Sequence, residues 1–460
     1  MLKKFIGDKK FYKMTMAVAV PIMIQNFITN FVSMLDNIMV GQVGTAPMSG
    51  VAIVNQVLFV LNLCVFGAVS GAGIFTAQYA GSGDHEGVRN TFRFKLLSVL
   101  LLVAVGIGVF AAFGEQLVSL WLRGEGSAED AAAFLRYGMS YMRIMLLGLP
   151  AFAVANVYCS TLRESGETVV PMTAGVIAVF VNLCLNYILI FGHLGFRPMG
   201  VRGAAVATVV SRYVELMIAA AWTHTHKARM PFAEGLYRTF RMPRALVGQI
   251  IRKGTPLLLN EGLWAAGMAM LNQCYSIRGL DVVAAMNISS TIWNAMGVAF
   301  MAMGNAVGII LGHKLGEGAG QDEVMDQFVK LTAFTIVLNC IFGVALAGVS
   351  GVFPLLYSTT DEVRSLATRF ILVEAYIMPF AAYTNCTYFA LRSGGKTVIT
   401  FIFDSCFVWA VHVPLAFCLS RFTGIPVVPL YFISQSTELI KCAIGTIMIR
   451  RRTWMQSIII

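Results

Sequence analysis

Charge is what this chain of 460 residues has least of. Only 12% of its residues are Asp, Glu, Lys or Arg, about half the share of an ordinary soluble domain, which excludes a water-soluble globular protein. Cysteine occurs nine times but never as C-x-x-C, so no disulfide framework or zinc site is expected, and the thiols read as reduced and packed. No Pro/Ser-rich or low-complexity tract offers a linker to an appended soluble domain. No metal-ligand cluster or nucleophile motif lies near a span boundary, so the chain does not read as an enzyme. His224 and His226 form too small a set for a metal site, and His412 reads as a packed, neutral side chain.

What fills the chain instead is apolar: 57% of residues are hydrophobic. Runs long enough to cross a bilayer, about 20 residues each, fall near 14–40, 48–79, 95–114, 132–160, 168–192 and 203–224. A second set falls near 253–278, 282–312, 330–357, 364–391, 398–420 and 428–449. The first run carries Gln25, Asn26 and Asp36 and is too long for a cleaved signal. The fold class expected is an all-α polytopic membrane protein with twelve transmembrane helices, divided as 1–224, a linker at 225–252, and 253–460.

The net charge of +11 would suit nucleic acid if it were clustered on a soluble face. Alternating the spans from an inner N-terminus puts most basic residues on one side. They gather at Lys3, Lys4, Lys9, Lys10 and Lys13, between Lys227 and Lys253, and at Arg450–Arg452. Such blocks face the anionic inner leaflet. Both termini are therefore expected on the cytoplasmic side of the cell membrane, with membrane lipids as partners and no nucleic acid. The linker, where Phe232, Leu236, Phe240, Leu246 and Val247 interleave with basic residues, reads either as an interfacial segment or as a solvated loop.

The two sets of spans repeat one another. Pro21 recurs as Pro256, Gly81-Ser82-Gly83 as Gly316-Glu317-Gly318, and Leu162-Arg163-Glu164-Ser165-Gly166 as Leu391-Arg392-Ser393-Gly394-Gly395, with Pro150 and Pro379 upstream in register. Homologous membrane halves of this kind build a central site with alternating access in many secondary transporters. The glycines read as helix ends, and Arg163 and Arg392 as headgroup anchors. The prolines stand where helices bend.

Carboxylates inside spans are costly, about 2.5–3.5 kcal/mol each on insertion scales, so each needs a partner or a purpose. Asp36, Glu261 and Glu374 stand deep. Asp36 lies roughly 7 Å inside the outer end of its span. Asn182 and Asn186, four apart, share a helix face. The three can meet as a hard-cation site (a possible Na+ site) or as a protonatable acid held by hydrogen bonds; helix-to-helix hydrogen bonding alone is the other reading. Residues eleven apart share a face. Gln25 thus aligns with Asp36, Glu261 with Asn272, Glu374 with Asn385, and Asn287 with Thr291, Asn294 and Asn305. These stripes, with Asn260 beside Glu261, are the candidate substrate and cation contacts. Glu215 and Glu438 recur as Ser-x-x-x-Glu-Leu, the first with Arg212 as its expected partner.

In order and spacing, these motifs together resemble the multidrug and toxic compound extrusion (MATE) family across essentially the whole chain. They are Pro21-x-x-x-Gln25 with Asp36 and Gly41, Gly81-x-Gly83, the paired Leu-Arg-x-x-Gly turns, Asn182-x-x-x-Asn186 and Asn260-Glu261. The resemblance implies two pseudo-symmetric six-helix lobes around a central cavity. It implies antiport of lipophilic, usually cationic small molecules against H+ or Na+, with no cofactor, by a chain acting as a monomer. It makes Asp36, Asn182 and Asn186 similar to the family's N-lobe cation site, and Glu261 and Glu374 similar to acids of its C-terminal lobe. Where some members carry Asp, this chain has Asn186, which leaves the coupling ion open. A flippase for a lipid-linked or polysaccharide precursor is the alternative; deep charges that are mainly acidic favour cationic cargo.

Overall fold

The computed structural model describes residues 5–121 and 128–459; Lys3 and Lys4 lie outside them. The described residues are helical with no strand. We number the helices α1 (Lys9–Gly41), α2 (Thr45–Ser82), α3 (His85–Trp121), α4 (Ala128–Glu164), α5 (Val169–Phe191) and α6 (Val201–Thr225). The second set is α7 (Arg244–Ser276), α8 (Leu280–Gly316), α9 (Gln321–Val349), α10 (Asp361–Ser393), α11 (Thr397–Phe422), α12 (Val427–Gln435) and α13 (Thr437–Arg450). The last two form one span broken at Ser436, so six crossings are followed by six. Ten of these helices are long and apolar enough to cross a membrane on their own. The exceptions are α7, whose opening turns are polar, and the two pieces of the broken last span.

The helix ends repeat as the sequence does. Gly83 and Gly318 both take positive φ, +76° and +74°, and each donates its N–H to a carbonyl three residues back, at 3.3 Å. Gly166 and Gly395 have φ of +89° and +71°. Glu167 N–H then reaches back to Leu162 O at 2.9 Å, as Lys396 N–H reaches Leu391 O at 3.2 Å. Left-handed φ costs L-residues energy that glycine avoids, which is why the motif glycines fall there. Pro21, Pro150, Pro256 and Pro379 lie inside α1, α4, α7 and α10.

The chain divides into two compact units, and the division exchanges material between the halves. One unit holds Ile24–Thr76 and Asp84–Gly254; the other holds the chain through Met23, Ala77–Gly83 and Thr255–Ile460. In the first, α4 packs on α3 and α6, and α5 on α6. The opening turns of α7 belong to it as well: a Cβ on Gly71 of α2 would lie 2.7 Å from Gly254 Cα. In the second unit α10 packs on α8, α9 and α13. The opening turns of α1 belong there, with Phe11, Val18, Ala19 and Ile22 in one apolar cluster with Ala306 and Ile310 of α8 and Leu331 of α9.

Two expectations need correction. Helix α7 begins at Arg244, nine residues before the apolar run near 253, because Leu246 and Ile250 bury one face of an otherwise polar segment. The stretch before it is not a solvated loop: it packs on α3, with one 3-10 turn at Pro231–Ala233. Arg93 of α3 donates from Nε to Leu236 O (2.8 Å) and from Nη2 to Gly235 O (2.9 Å), and Arg89 Nε to Phe232 O (3.1 Å). Phe232 and Leu236 are buried beneath.

The ends of α2 and α8 meet by equivalent residues. A Cβ on Gly81 would stand 2.2 Å from His313 O, and one on Gly316 1.9 Å from Gln78 O. Gln78 and His313 are themselves a repeat pair, 235 residues apart, so the crossing is reciprocal. Backbone cannot yield to an added methyl group as a flexible side chain would. Gly316→Ala and Gly81→Ala should each cost about 1–3 kcal/mol and lower the thermal midpoint of the purified protein. Gly248→Ala, with nothing within 4 Å of its Cβ, should leave the midpoint level or raise it. A midpoint unchanged in Gly316→Ala would refute the close crossing.

Candidate functional site

In the first unit, α1 and α5 run in a fixed register. Gln25 and Asp36 are eleven residues apart on α1, and so are Gly175 and Asn186 on α5, which places each pair on one face. At one end a Cβ on Gly175 would sit 2.8 Å from Gln25 Nε2, so only glycine lets the helices approach. Eleven residues on, Asn186 Nδ2 donates to Asp36 Oδ1 at 2.7 Å. The same nitrogen lies 3.2 Å from Asn182 Oδ1, and Asn182 Nδ2 reaches Thr208 Oγ1 of α6 at 3.3 Å. Asn182 and Asn186 are buried and Asp36 is half-buried.

The Asn182 amide lies 2.9 Å from both oxygens of Asp36; with its nitrogen facing them it donates to the carboxylate, and its oxygen accepts from Thr208 Oγ1 at 3.3 Å. Asn186 Oδ1 is buried without a hydrogen-bond partner, which adds a free carbonyl oxygen. A carboxylate with amide and hydroxyl oxygens is the donor set of a hard monovalent cation. Arg163 donates to Gln25 Oε1 at 3.3 Å, so it reaches inward to α1 and not to headgroups as expected. Arg212 pairs with Glu215 at 3.3 Å, as its spacing suggests.

In the second unit the expected contacts do not form one group. Asn260 is buried, and its Nδ2 donates to Asp404 Oδ2 of α11 at 3.0 Å. Glu261 lies within electrostatic reach of Arg392 and Asp404. Glu374 is turned away into an apolar core, accepting from Tyr431 of α12 at 3.1 Å. Its stripe partner Asn385 lies against α8, where a Cβ on Gly304 would meet its Oδ1. Asn272, Asn287, Thr291 and Asn294 are exposed on the surface of the unit. Three groups were not foreseen: Asp404 as a fourth deep carboxylate, Lys441 beside it, and Thr208. Moving Gly175 forward by the 229-residue shift of the Leu-Arg motif lands on Asp404, a signal that was available.

A further buried pair is structural. Lys95 of α3 is fully buried against Glu164 of α4, with Ser160 Oγ at 3.3 Å and Thr161 Oγ1 at 3.2 Å. His224 meets Tyr158 OH at 2.9 Å and His226 stacks on Trp222. No group of three or more metal-ligating side chains occurs among the described residues.

The MatE family model matches residues 21–188 and again residues 258–418, one match for each half. The chain belongs to this family. It is therefore a multi-pass membrane protein of a family of transporters. Among curated relatives, a probable multidrug resistance protein NorM of Thermotoga maritima is 25% identical over 88% of this chain and 84% of its own length. Multidrug resistance protein PmpM of Pseudomonas aeruginosa is 25% identical over 88% and 83%, and a probable multidrug resistance protein YoeA of Bacillus subtilis 23% over 89% and 87%. Solved MATE structures share the fold. One in complex with MaL6 has a TM-score of 0.85 at 18% identity, covering 98% of both chains. The Vibrio cholerae transporter VcmN has a TM-score of 0.85 at 16% identity, covering 97% of this chain and 98% of its own.

Thr208 is the one hydroxyl fixing the Asn182 amide beside the carboxylate. Thr208→Val keeps its shape and deletes the hydrogen bond, worth about 1 kcal/mol. Gradient-driven dye efflux should fall about fivefold in that variant and return with Thr208→Ser. Equal efflux from Thr208→Val and wild type would remove Thr208 from the site.

Proposed function

We propose that the chain is a multidrug exporter of the cell membrane, with both termini cytoplasmic, which expels lipophilic cations in exchange for H+ or Na+. The names of its relatives, multidrug resistance proteins from three bacteria, support the export of drugs. One observation carries the coupling. The Asp36 carboxylate lies 2.9 Å from the Asn182 amide and accepts from Asn186 Nδ2 at 2.7 Å, with the Asn186 carbonyl buried and free beside them. A half-buried carboxylate among amide groups is a place where a proton or a small cation binds. Taking up the ion and releasing it are then linked to which conformation the transporter holds, because a ligand shifts an equilibrium by its difference in affinity for the two states.

Glu261 is the group proposed to meet the cargo. It is half-buried, next to Asn260 and across from Arg392 and Asp404. In a low-dielectric setting an ionised glutamate attracts an organic cation.

Ethidium efflux from vesicles, measured under separately imposed Na+ and pH gradients, identifies the coupling ion. Asp36→Asn keeps the shape and removes the charge. It should bind dye as wild type does while losing gradient-driven efflux about tenfold or more. Efflux in Asp36→Asn equal to wild type under either gradient would end the assignment of Asp36.

Glu261→Gln should weaken ethidium binding severalfold, and Glu261→Asp should keep part of it. Unchanged dye affinity from pH 5 to pH 9 in Glu261→Gln, with normal efflux, would leave Glu261 without a part in cargo binding.

A further inference from the structure

The second unit holds a carboxylate whose neutralising cation is part of the chain. Asp404 lies on α11 in a run, Ile402–Cys406, where the helix widens to π geometry, a local form often found at functional sites. Its Oδ1 accepts from Lys441 Nζ of α13 at 2.8 Å, and its Oδ2 from Asn260 Nδ2 of α7 at 3.0 Å. Asn260 is fixed in turn. Its Oδ1 accepts from Ser405 Oγ at 2.7 Å and Ser405 N at 3.3 Å, and its Nδ2 lies 3.4 Å from Tyr388 OH. The ammonium also stands over the rings of Phe403 and Phe407, at 5.2 and 6.0 Å. Exposure is 8% for Lys441, 2% for Asn260 and 1% for Ser405.

The other half of the chain has the same crossing without the acid and the lysine, and there Arg163 donates to Gln25 Oε1 at 3.3 Å. The repeat aligns Asn260 with Gln25 and Asp404 with Gly175, and Gln25 packs on Gly175. Aligning the two Ser-x-x-x-Glu-Leu segments sets Lys441 opposite Ile218. Glycine and isoleucine on one side therefore correspond to aspartate and lysine on the other. The ammonium keeps one hydrogen bond, to Asp404 Oδ1, and the faces of Phe403 and Phe407, while Asn260, held by Ser405, fixes the other carboxylate oxygen. A buried carboxylate fixed in this way is one that a monovalent cation can neutralise.

We infer that Asp404, fixed by Asn260, is a cation-binding carboxylate whose occupant is the tethered ammonium of Lys441. The charge at this point of the second unit is fixed, whatever ions are present outside. Asp36, hydrogen-bonded to the neutral amide of Asn186, is then free to exchange its cation. The inference deepens the coupling proposed above and rests on that reading for its meaning in transport. The site itself is tested without transport.

Lys441→Met keeps the apolar stem and vacates the ammonium position. The purified variant, melted in NaCl and in choline chloride at equal ionic strength, should gain about 2 °C or more from Na+ beyond the response of wild type. Lys441→Arg, which keeps the charge, should respond as wild type does. Asp404→Asn combined with Lys441→Met removes both charges and should lose the added response. A Na+ response in Lys441→Met equal to that of wild type overturns the inference. So does failure of that variant to fold in NaCl, whatever the double variant does, since Na+ should replace the missing ammonium. Loss of coupling at Asp36 would leave these outcomes unchanged, so the two readings fail separately.

Discussion

Within an apolar span a polar side chain cannot fall back on water, and every hydrogen bond it lacks is a cost of about 1–3 kcal/mol or more. The polar interior of this protein is arranged under that constraint. Lys95 is met by Glu164 and two hydroxyls, Glu374 by Tyr431, and Asp404 by Lys441 and Asn260. Each of these acids has a partner within the chain, although Glu374 Oε2 is buried without one. Asp36 is held by neutral amides, with Arg212 the charge that acts on it from further off. A carboxylate held in this way is where an ion from outside has something to do.

The duplicated halves thus treat one crossing in opposite ways. At Gln25 and Gly175 the contact is close and carries no acid, and the acid stands eleven residues further along α1. At Asn260 and Asp404 the acid is at the crossing itself and carries its counter-charge. The two halves share a framework of motif glycines and prolines and differ in where their charged residues stand.

That contrast explains how much was legible beforehand. Spans, repeats and helix ends were readable because they rest on backbone demands: Gly166 and Gly395 are needed at positive φ, and apolar runs must match the membrane. The Asp36, Asn182 and Asn186 group was readable because spacings of four and eleven fix a shared face. Periodicity does not say what covers a face, so Glu374 proved buried and Asn287 exposed although both were assigned to polar stripes. Asp404, Lys441 and Thr208 escaped because each is a single polar residue with no periodic trace, and its partner lies on a helix distant in the chain. The start of α7 escaped because its polar turns continue the helix beyond the apolar run.

The exchange of opening turns bears on how the protein is made. Helix α1 contributes its residues through Met23 to the unit built mainly from the second half, and α7 contributes its turns through Gly254 to the unit built mainly from the first. A ribosome that has finished α6 has therefore produced no complete unit: the first awaits turns not yet translated, and the start of α1 awaits α8. Each half of the chain alone lacks residues that the unit built mainly from it contains.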